Sequence, residues 1–481
     1  MTHSTFIQSE RSTLALVTLL CFIIVYFTWY PGVYTMDELD IFTQSLHGSV
    51  HDGHSPLLVS LWSLTNAIKL GPALPYMLAL AAVIIGCARM CERIASRPVI
   101  AAMMLPAMIA LPPVFTSLGL VTKDIFLVAS MLAVFHSLMA WVAAPGRRKL
   151  LLAAFFIQLA VFIRLDAVFA LFPVLIYMAW FELVRHRADG LLTRLLSIVA
   201  ASLLVIVLGA MARLSNQYLF KATPYHAEQV SMLFDLSAIT VQTNHMLIPP
   251  SRLAGHFDLP EIRARFNPSI ADALIWSTDS RHLVYQPSAD HRELHKAWWD
   301  AIRTNPMAYI RFRTEYAARF IGLRNNVAHM RAQFFADGSM ASHPENGWRK
   351  TGSPLQNMYL TFSETALGKY VFMPWVWLLA GLLPLFGFAS GYLGRKYDAP
   401  GRLLPQLLVI SAISYTVLMS CISAASLARY HSWPRVAIGI ALVAAFFEML
   451  TVQQMRRRRR SPTEADHERG TAGERQDPVR G

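Results

Sequence analysis

The sequence predicts an all-α polytopic membrane protein with about ten transmembrane helices and a mostly helical extracytoplasmic insertion. The first observation behind this class is composition, because 54% of the 481 residues are hydrophobic and only 15% are charged. Soluble domains carry about 25% charged residues. The second is the recurrence of apolar runs near the length of about 20 residues that a helix needs to cross a bilayer.

Charge is the third observation, and it orients the predicted spans. The net charge is +13, but the Arg and Lys residues cluster in short loops between apolar runs, which is typical of membrane topology and not of nucleic-acid binding. With ten spans, the cationic loops and the arginine-rich tail all lie on one side of the membrane, which is therefore predicted to be cytoplasmic. Both termini are then cytoplasmic.

The predicted spans follow the apolar runs in order. They lie near residues 13–30, 73–91, 99–115, 124–143, 149–163, 166–182, 195–212, 370–394, 403–427 and 433–452. The first resembles a signal sequence, but no small-residue cleavage site follows it, so an uncleaved helix is predicted. The fifth and sixth are short, and a single re-entrant pair is the alternative. The four cysteines all fall in apolar runs, which argues against a disulfide framework.

These spans divide the chain into four predicted regions. Residues 1–212 form an N-terminal transmembrane bundle whose first outer loop is 31–72, and residues 213–369 form an extracytoplasmic, mostly helical segment. Within that segment, Asn305 and Pro306 read as a helix start, with Tyr309 and Arg313 one turn apart. Residues 370–455 are C-terminal transmembrane helices, and residues 456–481 are predicted to be a disordered basic cytoplasmic tail.

The first outer loop carries the strongest chemical signal. Asp37 and Glu38 follow the first span closely, where a low-dielectric boundary raises the proton affinity of a carboxylate and suits it to act as a base. A solvated acidic loop is the alternative reading. Next come His47, His51 and His54. The first two would share a helix face at i, i+4, as zinc ligands can, but glycines interrupt the pattern, so loop histidines or substrate contacts are favoured.

Further ionisable groups lie at the edges of other spans. Charges at membrane depth normally face a cavity or a partner, and by the predicted topology these groups share the outer face with Asp37. They would suit a site that binds an anionic lipid headgroup and moves a proton, although mutual ion pairing within each stretch is the alternative. The groups are Lys123 and Asp124, Arg164 and Asp166, and Arg429 and Tyr430.

Four features together resemble the integral-membrane C-type glycosyltransferases, such as the protein O-mannosyltransferases and the lipid A aminoarabinose transferases. The Asp37–Glu38 pair precedes "HSPL" at 54–57 and an amphipathic stretch at 58–71 that ends in glycine, and "RYHSWP" lies before the last span. "TKD", "RLDAVFALFP" and "NPMAYIRFR" resemble an uncharacterised bacterial branch of this superfamily. This chain has His-Ser-Pro where the family has His-Pro-Pro, and its long outer segment follows the seventh span.

The resemblance implies sugar transfer from a polyprenyl-phosphate-linked donor to an envelope glycan, lipid or protein, at the outer face of the bacterial cytoplasmic membrane and with inversion. Asp37 would be the general base and Glu38 its support. Asp52 and His54 would contact the acceptor or the sugar, and cations from the span edges would stabilise the leaving phosphate. No metal or cofactor is predicted. The alternatives are a transporter or flippase of a lipid-linked sugar, and an envelope scaffold.

Overall fold

The computed structural model describes residues 3–30, 32, 35–71, 73–95, 97–185, 189–255, 257–276, 280–285, 291–324, 353–390, 393 and 399–472. These residues form helices joined by short connections, and within them the only β-structure is a few isolated bridges. The protein is therefore all-α over the described residues. Several of its helices are long and apolar, as expected of a multi-pass membrane protein.

Ten helices make up the N-terminal part of the described chain. They are α1 His3–Trp29, α2 Met36–His47, α3 Pro56–Ala67, α4 Ala73–Ile94, α5 Pro98–Ile109, α6 Pro112–Ser117, α7 Lys123–Ala143, α8 Arg147–Ile163, α9 Ala167–Val184 and α10 Leu191–Leu214.

The rest of the described chain holds a helical insertion and a second group of apolar helices. The insertion contains α11 Glu228–Thr243, α12 Leu259–Arg265, α13 Asp272–Ile275, α14 Arg292–Thr304, α15 Pro306–Phe320, α16 Pro354–Glu364 and α17 Ala366–Val371. The apolar helices are α18 Pro374–Ala389, α19 Ala399–Ile422 and α20 Ser432–Ala472, and a short 3-10 turn, Ala428–His431, separates the last two.

Seven helices in the described chain are long and apolar enough to cross a membrane, where the sequence predicted ten spans. They are α1, α4, α7, α9, α10, α19 and α20. The other three predicted spans coincide with shorter helices: α5 with 12 residues, α8 with 17 and α18 with 16. At a rise of about 1.5 Å per residue, α5 reaches about 18 Å, well short of a bilayer core of about 30 Å.

The third predicted span, 99–115, is broken in the structure. Leu111 lies between α5 and α6 in an extended conformation, with ψ of 121°. Pro112 and Pro113 follow it, and the ring of a proline pushes the preceding residue out of the helical region. Hydropathy alone overlooks this break because the average over the apolar run stays high when it includes two prolines.

Helix α7 lies at the centre of the bundle. Of its most apolar stretch, 78% is buried, against 22% for the stretch that includes α10. It packs on α4 and α8, and its Phe135 ring lies 5.5 Å from the ring of Trp433 on α20. By contrast, α1 and α10 expose rows of leucine, isoleucine and valine side chains. Such outer surfaces fit contact with lipid tails.

The insertion agrees with the sequence prediction, whereas the start of the tail differs from it. The insertion is mostly helical over its described residues, and α15 begins at Pro306 as the sequence predicted. The tail was predicted to be disordered from residue 456, but α20 continues to Ala472; residues 473–481 lie outside the described residues. Extending an existing helix avoids the cost of nucleation, and Arg456 to Arg460 have good helix propensity, whereas Pro462 and Gly470 farther along oppose the extension.

Candidate active site

Asp37 and Glu38 lie in the first turn of α2, so the predicted outer loop is helical at this point. Thr35 is the N-cap residue, and its side chain and that of Glu38 form a reciprocal capping box at the helix start. The backbone N–H of Thr35 donates to Glu38 Oε2 at 3.2 Å. Carboxylates are favoured in a first helical turn because they face its unpaired N–H groups and positive dipole end.

Two cations from distant parts of the chain converge on Asp37. Its Oδ2 atom lies 3.1 Å from Lys123 Nζ and 2.8 Å from Arg429 Nη2. Lys123 is the first residue of α7, where the Thr122 side chain caps the helix, and Arg429 comes from the 3-10 turn before α20. The Arg429 Nη1 group also donates to Thr35 Oγ1 at 2.7 Å. Both cationic side chains are largely buried, with 14% and 8% of their surface exposed.

These charges move the two neighbouring carboxyl groups in opposite directions. Burial acts to raise the pKa of Asp37, but the positive charges of Arg429 and Lys123 outweigh it and hold that pKa well below its usual range. Burial raises the pKa of Glu38 to about 7, since Arg429 lies farther from it, at 3.9 Å, and ionised Asp37 adds to the rise. Asp37 is therefore the charged member of the pair and Glu38 takes up a proton near neutrality.

Arg164 forms a second cluster beside the first. Its guanidinium contacts the carboxylates of both Asp124 and Asp166, and it lies 5.1 Å from the centre of the Tyr430 ring. Arg429 lies 5.5 Å from the same ring. Of the two ion pairs that were the alternative to a binding site, Arg164 with Asp166 is present. Lys123 pairs with Asp37 and not with its neighbour Asp124. Arg164 is held between two carboxylates, so it positions the connection between α8 and α9.

His54 connects the cationic cluster to a third carboxylate, Asp40. Its Nδ1 atom lies 3.3 Å from Lys123 Nζ, and its Nε2 atom lies 3.1 Å from Asp40 Oδ2. His51 Nε2 lies 3.2 Å from the same oxygen. Because Lys123 can only donate, these partners assign the proton of a neutral His54 to Nε2. Burial and the charge of Lys123 lower the pKa of His54, which keeps the ring neutral at pH 7.

Asp52 has a structural partner. Its Oδ1 atom accepts a hydrogen bond from the backbone N–H of Tyr225 at 2.6 Å, which ties the segment before α3 to the insertion. The ring of His51 stacks on the Tyr225 ring at 4.4 Å. His47 is exposed at the end of α2, and Gly48 ends that helix with φ of 70°. The helical i, i+4 zinc pair considered for His47 and His51 is therefore not formed.

Sequence reasoning gave no site role to Asp40, which shares a face of α2 with Asp37 at i, i+3. It missed Asp272 entirely. Asp272 lies at the start of α13. Desolvation of its carboxyl raises its pKa, and it is close enough to Arg429 and Asp37 for the first to lower that pKa and the second to raise it. Backbone pairing brings it there, because Ala271 N donates to the carbonyl of Ala424 at 3.1 Å. No local sequence pattern marks this residue.

The insertion has its own buried ion pair, and one partner, Arg313, lies in the helix that the sequence predicts to start at Pro306. Arg313 and Asp235 lie 2.8 Å apart, and Trp298 Nε1 donates to the same carboxylate at 2.9 Å. Arg313 Nη1 also donates to the carbonyl of Ser423 at 2.9 Å. The pair therefore anchors α11, α14 and α15 to the end of α19, a few residues before Arg429.

A cavity of about 730 Å³ lies between the first half of α1 and the second half of α4. Its lining is mostly apolar, with Arg11, Arg89 and Glu92 among the lining residues. None of the charged residues around Asp37 lines it. The cavity and the charged cluster therefore occupy opposite ends of these helices.

No protein-family model, no curated protein and no solved structure matches this chain. One ionised carboxylate, two buried cations and a neutral histidine meet where α1, α7, α8, α9, α19 and α20 begin or end. Such a group can bind an anion and accept a proton at neighbouring positions.

Proposed function

We propose that this protein is a membrane glycosyltransferase. It transfers a sugar from a polyprenyl-phosphate-linked donor to an envelope acceptor, with inversion, at the outer face of the bacterial cytoplasmic membrane. The observation that carries the proposal is the contact of Asp37 with both Lys123 and Arg429, at 3.1 and 2.8 Å. An inverting displacement needs one base for the acceptor hydroxyl and cations for the leaving phosphate, and this contact provides both kinds of group.

The roles of the residues follow from their partners. Asp37 takes the proton of the acceptor hydroxyl as the oxygen attacks the anomeric carbon, and Lys123 and Arg429 bind the phosphate. Glu38 supports this arrangement through the capping box with Thr35. Arg164 was a third candidate cation, but its two carboxylate partners give it a scaffolding role in this proposal.

The remaining candidate residues shape the site. Asp124 and Asp166 hold Arg164, and Tyr430 lies against the guanidinium groups of Arg164 and Arg429. His54 remains a candidate contact for the sugar or acceptor, because its ring borders Lys123. Asp52 acts by holding the segment before α3 in place.

The membrane arrangement belongs to the same proposal. Ten membrane segments, including the shorter α5, α8 and α18, place the charged cluster and the insertion on the outer side, with both termini in the cytoplasm. Support comes from described cations that all lie at the end of the bundle away from Asp37: Arg93 and Arg97, Arg147 to Lys149, and Arg185 and Arg194.

Donor consumption tests the proposed function. Membranes containing the protein would be supplied with a panel of polyprenyl-phosphate sugars, and donor loss and free polyprenyl phosphate would be followed by mass spectrometry. We expect one donor to be consumed and polyprenyl phosphate to accumulate. Movement of an intact donor across the vesicle bilayer without consumption would identify a flippase and contradict the proposal.

A further inference from the structure

The two cations near Asp37 already have a partner before any substrate binds. A single carboxylate oxygen of Asp37 contacts both Lys123 and Arg429. Opposite charges this close hold a carboxylate in its ionised form, which makes it a weak base. These contacts therefore oppose proton transfer to Asp37, although Lys123 and Arg429 are the same cations that are proposed to bind the phosphate.

We propose that the donor phosphate competes with Asp37 for Lys123 and Arg429, so that donor binding itself turns Asp37 into an effective base. The inference rests on the proposed function and concerns the control of the same site. A phosphodiester brings one negative charge to two cations that share one carboxylate. As the cations turn toward the phosphate, Asp37 loses the charges that keep it ionised, and its proton affinity rises.

Both cations have features that allow this exchange. Lys123 Nζ lies between Asp37 and His54, at 3.1 and 3.3 Å, so it can leave the carboxylate while keeping a second partner. The Arg429 Nε–H group is buried and makes no hydrogen bond to any of the described residues. A buried guanidinium donor without an acceptor favours a rearrangement that supplies one.

Several other titratable groups lie close enough to the Asp37 carboxyl to interact with its charge. Glu38 lies beside it on α2, His54 precedes α3, and Asp272 faces it from α13. Burial is the largest influence on Asp37 and acts to raise its pKa, opposed by Arg429 and Lys123. Once the cations are shared with phosphate, burial is the main influence on the proton affinity of Asp37 and raises it.

The transfer step balances with this exchange. The acceptor O–H bond breaks and its proton goes to Asp37, while the acceptor oxygen forms a bond to the anomeric carbon. The bond between that carbon and the phosphate oxygen breaks, and its electron pair stays on the phosphate. The phosphate gains one negative charge as Asp37 loses one, so the charge facing Lys123 and Arg429 is conserved.

Binding of an unreactive phosphodiester tests the exchange without knowledge of the sugar or acceptor. The probe is polyprenyl ethyl phosphate, which carries one fixed negative charge and no transferable sugar. It would be added to the protein in nanodiscs of neutral lipid, in weak buffer at about pH 6, where Glu38 already holds its proton. Proton uptake is read with a pH dye and affinity by calorimetry.

We expect the wild-type protein to take up protons as the probe binds. Asp37→Asn should abolish this uptake and bind the probe about tenfold more tightly, because no carboxylate competes for the cations. A gain of affinity cannot arise from misfolding. Asp300→Asn, which removes an exposed carboxylate from α14, is the matched control and should behave like wild type.

Two other results have separate meanings. Probe binding without proton uptake, or equal or weaker binding by Asp37→Asn, would overturn the competition while leaving the proposed transferase intact. No probe binding by either wild type or Asp37→Asn would contradict the proposed function itself, and the competition with it.

Discussion

Replacing Glu38 by glutamine should stabilise the protein in alkaline solution. The side chain is 1% exposed, and its Oε1 atom makes no hydrogen bond to the described residues. Burial raises the pKa of Glu38 from 4.5 to about 7, so the folded state binds a proton that the unfolded state has already released. Glu38 contributes stability that is present below pH 4.5 and is lost as the pH rises through about 7.

The size of this loss follows from the two pKa values. At about 1.4 kcal/mol per pH unit, the difference between 4.5 and about 7 corresponds to about 3 kcal/mol. Glutamine has the shape of the protonated acid and cannot ionise. Glu38→Gln should therefore match the wild-type protein near pH 5 and exceed its free energy of unfolding by about 2–3 kcal/mol near pH 8.

Equilibrium unfolding of the purified protein in mild detergent, measured at both pH values, checks this prediction. Asp300→Asn controls for the loss of an exposed negative charge, and it should show no pH-dependent gain. If Glu38→Gln were no more stable than wild type near pH 8, or equally more stable at both pH values, the reasoning from burial would be refuted.

Three further predictions concern the buried charges and the topology. Arg164→Ala should cost about 3–5 kcal/mol of unfolding free energy, since it leaves two carboxylates without their cation; an unchanged melting temperature would contradict this. Arg313→Ala should cost a similar amount, and adding Asp235→Asn should recover part of it; no recovery would rule out the ion pair as the cause. A cysteine at the exposed position Ser49, with the exposed Cys421 replaced by serine, should react with an impermeant maleimide in intact cells, whereas labelling only after permeabilisation would reverse the topology.

Much of the fold class could be predicted from hydropathy, because bilayer spans require long apolar runs. The break at Leu111 was missed, since a hydropathy window does not register that Pro112 excludes helix from the residue before it. The short lengths of α5, α8 and α18 were also missed, because apolar composition predicts burial in lipid or protein but not the length of a helix.

Some residues of the charged cluster could be predicted from the sequence, but their pairing could not. Asp37, Lys123 and Arg429 were all named from the sequence, because charged residues at the edges of spans are costly and need partners. Their pairing could not be predicted, as Arg429 lies on a different element from Asp37 and 392 residues farther along the chain. Lys123 and Asp124 were considered as a pair, yet successive residues on a helix point in different directions.

Asp40 and Asp272 show two different limits. Asp40 belongs to the same helical face as Asp37, so predicting a helix over 36–47 would have included it. Asp272 reaches the site through the backbone pairing of residues 269–271 with 424–426, a tertiary contact between distant segments. A single sequence carries no signal for such a contact.

Donor turnover by Asp37→Asn tests the central claim most directly. Wild-type and variant proteins, at matched amounts in membranes that contain the native acceptors, would be given the polyprenyl-phosphate sugar that the wild type consumes. The account predicts that the variant is inserted and folded but loses transfer by about 10²–10⁴-fold, because it lacks the base. Wild-type turnover by Asp37→Asn would contradict it.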